Sequence, residues 1–269
     1  MSSESPLLER LHACIGGETP CALATVISGA GPVGAKLLVL SPEDRHGSLG
    51  NEGLDHAVAT DAAGSLAHGE TGVRHYGPQG ERRMDDVEVF IQAFAPPPRF
   101  YIFGAIDFAS ALCSAAKMLG YRVTVVDARA TFATRRRFPE ADEVIVAWPP
   151  DWLESAPTDE ATVIAILTHD PKFDDPLIKT ALATRSGYIG AMGSRKTAAE
   201  RRARLLADGV TEADLTRVSA PVGLDIGART PPETAVSIVA EIIGLRSGRG
   251  GARLSQTSDP IHGTSGPPT

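Results

Sequence analysis

Five short segments of this sequence carry residues suited to holding a phosphorylated ligand, and each follows an apolar run. The first is Gly104-Ala105-Ile106-Asp107. A glycine turn that opens a helix can seat a pyrophosphate on backbone N–H groups, provided a second glycine lets the phosphate approach. Gly104 and Ala105 stand where that turn begins, but Ile106 holds the second-glycine position, where a side chain pushes a phosphate away. The second segment is Asp127-Ala128-Arg129. Asp127 lies 23 residues beyond Gly104, the spacing at which an acid meets a ribose hydroxyl, and Arg129 could contact a phosphate or stack on a flat ring. The third is Thr168-His169-Asp170, three polar residues directly after an apolar strand. His169 could serve as an acid–base group or donate a hydrogen bond to a phosphate.

The fourth segment is Gly190-Ala191-Met192-Gly193-Ser194-Arg195-Lys196. Gly190 and Gly193 free the backbone, Ser194 suits a helix N-cap, and Arg195 and Lys196 complete an anion site at a helix N-terminus. Basic residues there oppose the helix dipole, a conflict that a bound phosphate would resolve. The fifth is the loop Gly223-Leu224-Asp225-Ile226-Gly227, followed by Thr230-Pro231-Pro232-Glu233. Thr230 and Glu233 form a capping box with Pro231 at the first helical position, whereas Asp225 between apolar neighbours could hold a metal or fix a pterin or a ribose.

The elements that position these segments alternate strand and helix. Runs 100–103, 123–126, 143–147, 162–167 and 188–192 read as buried strands. Helices are expected from Gly104 to about Gly120, from about Asp175 to Arg185, over Lys196 to Asp208 and over Glu233 to Leu245. That alternation predicts an α/β fold with a Rossmann-like parallel sheet covered by helices, whose ligand lies at the carboxyl ends of the strands. Before it, 22–28 and 35–40 read as a hairpin across Gly29-Ala30-Gly31-Pro32, then a glycine-rich loop at 46–53, a helix to about His68 and a strand over 86–94. Ala95-Pro96-Pro97-Pro98 can continue neither strand nor helix. The domains are therefore expected at 1–95, a smaller α/β unit, and 99–246, with a disordered Gly/Ser/Pro-rich tail over 247–269.

Bulk properties narrow the function. With 269 residues, 42% of them hydrophobic, the chain can bury a large core. A net charge of -7 disfavours nucleic acid and anionic membranes as partners. No apolar stretch is long enough to span a bilayer, and the N-terminus lacks the pattern of a secretory signal. Cys14, Cys21 and Cys113 have no zinc-type spacing, so no metal ligands are assigned, and an odd set of scattered thiols suits the cytoplasm.

Several motifs together resemble the XdhC/CoxI family: VVDAR at 125–129, RFPEAD at 137–142, THDPKFD at 168–174, YIGAMGSRKT at 188–197 and APVGLDIGARTPPETAVSIVAEI at 220–242. The N-terminal ATVISGAGPVGAKLLVL with GSLGNEGLD is a weaker match. Members are maturation factors for xanthine and carbon monoxide dehydrogenases. The resemblance implies a chaperone more than a catalyst. Such a chaperone binds molybdenum cofactor, as molybdopterin or a dinucleotide of it, supports its sulfuration and passes it to a molybdenum hydroxylase client. A cysteine desulfurase would be a second partner, and a homodimer would shield a labile ligand. The family's first turn usually carries a second glycine and a histidine, where this chain has Ile106 and Asp107. Its N-terminal loop often carries a cysteine, where this chain reads Asn51-Glu52-Gly53.

Two other readings stand beside this one. An NAD(P)-binding oxidoreductase would use the same strand–turn–helix pattern, although Ile106 disfavours it and no Tyr-x-x-x-Lys pair is visible. A divergent paralogue could act only as a docking partner.

Overall fold

The computed structural model describes residues 6–69, 71–81, 84–168 and 170–258. They form two compact units that part between Pro96 and Pro97.

The first unit holds an antiparallel five-stranded sheet of order β3-β2-β1-β5-β4. Its strands are β1 (Cys21–Gly29), β2 (Lys36–Val39), β3 (Arg45–Gly47), β4 (Gly72–Tyr76) and β5 (Val87–Phe94). The expected hairpin is β1 with β2, paired from Ala22–Val39 to Thr25–Lys36. Two helices, α1 (Pro6–Gly16) and α2 (Glu52–His68), cover the sheet. Alternation of side chains sends Ala22, Ala24 and Val26 of β1 against Leu54, Val58 and Ala62 of α2, while Cys21 and Leu23 pack with Leu11 and Cys14 of α1. The loop expected at 46–53 begins instead inside β3, because Leu37, Leu38 and Val39 offer a free edge for Gly47, His46 and Arg45 to pair with. Asn51 then caps α2, its side chain accepting from Leu54 N at 2.9 Å.

The second unit is a six-stranded parallel sheet of order β11-β10-β9-β6-β7-β8. The strands are β6 (Arg99–Phe103), β7 (Arg122–Asp127), β8 (Glu143–Val146), β9 (Val163–Ile166), β10 (Tyr188–Ala191) and β11 (Val218–Ser219). Numbered within the unit, the order is 3-2-1-4-5-6, the doubly wound arrangement, with the switch between β6 and β9. Both faces are buried, which is why the strands are continuous apolar runs. Phe100 and Ile102 pack against Leu112 of α3 (Asp107–Met118) and Ile238 of α8 (Pro231–Arg246). Tyr101 and Phe103 face the opposite way, toward Leu153 of α4 (Pro149–Ser155), Leu177 of α5 (Pro171–Ala183) and Leu205 of α6 (Arg195–Ala207). Burying each such side chain contributes about 1.5–3 kcal/mol.

Helix α5 begins four residues earlier than expected. Asp170 caps it by accepting from Lys172 N at 3.0 Å, and Pro171 sits at the first helical position, where its missing N–H costs nothing. The capping box of Thr230 and Glu233 starts α8. The short helices α4 and α7 (Glu212–Leu215), and strands β4 and β11, were not expected from the sequence. Beyond α8, residues 247–258 follow a described path with one 3-10 turn at Leu254–Gln256. The remainder of the tail expected to be disordered lies outside the described residues.

Candidate functional site

At the switch between β6 and β9 the connections leave in opposite directions, and a cleft of about 490 Å³ opens beyond the carboxyl ends of β6, β7 and β9. Gly104, Asp127, Arg129, Thr168 and Asp170 border it, so one site collects five of the residues singled out by sequence. Ile106, Pro149, Pro171 and Phe173 give it apolar walls. His169 lies outside the described residues.

Gly104 is needed here. Its φ is +105°, and a Cβ would stand 2.7 Å from Thr168 Cγ2, so a larger residue would press β6 against the end of β9. Ala105 is fully buried, and its N–H donates to Asp127 Oδ2 at 2.7 Å.

Asp127 is only 4% exposed. Besides Ala105, it accepts from Arg129 N and Arg129 Nε on Oδ1 at 2.9 Å each, and from Arg129 Nη2 on Oδ2 at 2.8 Å. Four bonds match the four lone-pair positions of a carboxylate. Burial pushes this carboxyl's pKa up, but the Arg129 side chain and the Ala105 and Arg129 N–H groups outweigh it and hold the acid below its usual range. A ribose hydroxyl would have to displace one of these four bonds to reach Asp127. The acid instead ties the β6–α3 turn to the β7 loop.

Arg129 carries its guanidinium 4.4 Å above the Phe132 ring. Arg137 closes the same turn from the other side, donating to Ala105 O at 2.7 Å and to Asp107 Oδ1 at 3.0 Å. The first turn of α3 is thus secured without a second glycine, and Ile106, its N-cap, makes no side-chain capping bond. Across the cleft the Phe173 ring forms an apolar wall, backed by Trp148 at 4.6 Å between ring centres and tilted 38° to it.

Thr168 leads to a feature the sequence did not suggest. Its hydroxyl donates to Asp174 Oδ1, and Asp174 Oδ2 takes the Arg201 guanidinium at 2.8 Å. Both side chains of this ion pair are sealed from water, at 3% and 2% exposure. Arg201 also donates to Met192 O at 3.0 Å. One buried arginine on α6 therefore connects the end of β9 to the loop after β10. Arg201 reads as one more charge on a polar helix; only its position four residues before the buried Leu205 marks it as inward-facing.

The remaining predicted residues lie elsewhere. Gly190 is inside β10, and Gly193 is in the loop before α6. Ser194 caps that helix, accepting from Thr197 N at 3.1 Å. Arg195 borders a different crevice, flanked by α6 and β11. It meets Asp225 at 3.2 Å, with both side chains well exposed, so these two predicted residues pair with each other. Lys196 points to solvent near Glu200. The helix N-terminus of Ser194, Arg195 and Lys196, expected as an anion site, thus does not border the cleft of Asp127 and Thr168. Gly223 is held from below, its N–H donating to Glu241 Oε2 at 2.9 Å, an oxygen that also takes the Tyr188 hydroxyl. Gly227 is exposed at the end of the loop.

Among the described residues no cluster of His, Cys, Asp or Glu could hold a metal ion. All three thiols are buried and none borders the cleft. Burial pushes the pKa values of Cys21 and Cys113 up to about 11. No described helix is long and apolar enough to cross a membrane.

A family model described as the XdhC Rossmann domain matches residues 100–242, and one described as the XdhC and CoxI family matches residues 14–77. The chain is 36% identical over 158 residues to a protein of Bacillus subtilis (strain 168) described as a probable xanthine dehydrogenase subunit, covering 59% of this chain and 46% of that protein. It is 27% identical over 219 residues to the uncharacterized protein YqeB of Escherichia coli (strain K12), covering 80% and 36%. It is 29% identical over 157 residues to the molybdenum cofactor insertion chaperone PaoD of the same organism, covering 58% and 43%. The chain thus spans less than half the length of each of these relatives. A solved structure described as a xanthine dehydrogenase from Bacillus halodurans superposes with a TM-score of 0.56 at 21% identity, over 94% of this chain and 98% of that one. That likeness bears on the fold alone.

Proposed function

This chain belongs to the XdhC and CoxI family, and from that membership we propose that it binds molybdenum cofactor as cargo and assists its transfer into a molybdenum hydroxylase. The observation that carries this reading is the cleft at the β6–β9 switch, with its flat apolar wall at Phe173 and its polar rim of Thr168, Asp170 and Arg129. About 490 Å³ suits one fused ring system with a phosphate. The ring lies against Phe173, and Arg129, half exposed and prepositioned by Asp127, meets the phosphate. The second base of a dinucleotide form would extend beyond this cleft. The naming of one relative as a molybdenum cofactor insertion chaperone supports the cargo.

The chain brings no reactive thiol to its cargo, since its three cysteines are buried away from the cleft. We therefore assign sulfuration to a partner of the cysteine desulfurase class acting on the bound cofactor, with this chain protecting and presenting it. The nicotinamide-dinucleotide reading gains nothing from the structure, because the acid that would hold a ribose is occupied by backbone and Arg129.

The test is to produce the chain with cofactor synthesis active, then measure bound pterin by oxidation and fluorescence and molybdenum by mass spectrometry. Near-stoichiometric pterin, lost in Gly104→Ala and reduced about tenfold in Phe173→Ala, is the expected result. No pterin, alongside a loaded relative prepared in parallel, would overturn the proposal.

A further inference from the structure

The crevice that holds Arg195 is separate from the cleft at β6–β9 and shares no lining residue with it. Its volume is about 340 Å³, room for roughly ten water molecules at ~30 Å³ each. One wall is a face of α6 on which Ala198 and Ala199 leave space between Arg195 and Arg202, and the other comes from Leu215, Val218 and Pro221. None of the lining residues is acidic.

Arg201 sits in this wall. Its Nη2 serves Asp174 and Met192 O, whereas Nε and Nη1, both buried, find no partner among the described residues. Buried donors of a charged group are almost always paired, and leaving two unpaired is costly. These two donors are therefore left for an acceptor other than the protein's own described groups. The rim arginines are each paired with an exposed acid, Arg195 with Asp225 at 3.2 Å and Arg202 with Glu212, in surface pairs weak enough to be exchanged for a ligand.

We propose that the crevice between α6 and β11 binds a small organic oxyanion, its carboxylate or phosphate meeting Arg201 with Arg195 and Arg202 at the rim, and its apolar body lying along Ala198, Leu215 and Val218. The crevice is too small for the cargo assigned to the larger cleft. Through Asp174, Arg201 is linked to Thr168 at the edge of that cleft. The site itself does not depend on what the cleft carries.

The full chain, labelled with ¹⁵N, is titrated with phenyl phosphate, with benzoate and with inorganic phosphate. The Arg201 Nε–H signal is followed, assigned by its loss in Arg201→Lys. The expected result is a saturable shift of that signal with phenyl phosphate or benzoate, the tighter of the two naming the head group. Inorganic phosphate, which lacks the apolar body, binds at least about tenfold more weakly. Ala198→Leu fills the crevice without touching the ion pair. It should weaken binding by at least about tenfold at an unchanged thermal midpoint. A signal that none of the three probes moves, or a shift that survives in Ala198→Leu, would overturn the proposal and assign the donors to internal water.

Discussion

Tyr188 at the start of β10 and Glu241 on α8 meet through a direct hydrogen bond, and the same Glu241 oxygen takes the Gly223 N–H at 2.9 Å. Burial first, and the adjacent carboxylate second, drive the Tyr188 pKa far above its ordinary value. The phenol thus stays protonated and donates at neutral pH. A strand, a helix and the loop that carries Asp225 are joined at this one oxygen.

Tyr188→Phe leaves the buried side of Glu241 without its donor, so we expect a loss of about 1–3 kcal/mol of unfolding free energy. Amide exchange at Gly223 should quicken by more than the global loss accounts for. Exchange that follows the global change alone would mean the loop is held by Ser237 instead, which donates to Leu224 O at 2.6 Å.

Asp127 makes the second unit sensitive to acid. Its folded pKa lies below the unfolded value. The stability it contributes is therefore present above about pH 4 and is lost as pH falls through the lower folded value. Asp127→Asn should be less stable than the parent at pH 7 by about 1–3 kcal/mol, with the gap narrowing toward pH 3. Urea unfolding at the two pH values measures this, and a gap independent of pH would refute it.

Removing one partner of the Arg201–Asp174 pair strands a buried charge. Asp174→Asn or Arg201→Met alone should cost about 3–5 kcal/mol, and the double replacement much less than their sum. Additive losses in this cycle would show that the two groups do not act as a pair.

With thiol pKa values near 11, Cys21 and Cys113 are about 0.1% thiolate at pH 8. Their reaction with an aromatic disulfide reagent should be slow in the native protein and fast in urea. Prompt native reaction of Cys113 would mean that α3 opens readily from the sheet.

The sheet of the second unit was legible because its strands are buried on both faces, and Phe100-Tyr101-Ile102-Phe103 has no polar alternative. Asp127 and Thr168 were legible as cleft-lining residues because the carboxyl ends of such strands open on the crevice of a doubly wound sheet. Helix α4 escaped notice because Pro149-Pro150 reads as a chain breaker, although proline is favoured at a first turn. Arg195 and Lys196 were read as part of an anion site at a helix start, but sequence does not give the direction in which that first turn faces. The hidden role of Arg201 depends on Asp174, 27 residues away, and a pairing at that range leaves no local pattern.

The filled carboxylate of Asp127 also bears on selectivity. In a cell crowded with dinucleotides, an open β-strand acid behind a glycine turn is a standing invitation to the most abundant of them. Here that acid has already been claimed by the chain's own backbone and by Arg129. A scarce ligand that needs only the wall and the rim meets less competition for its place.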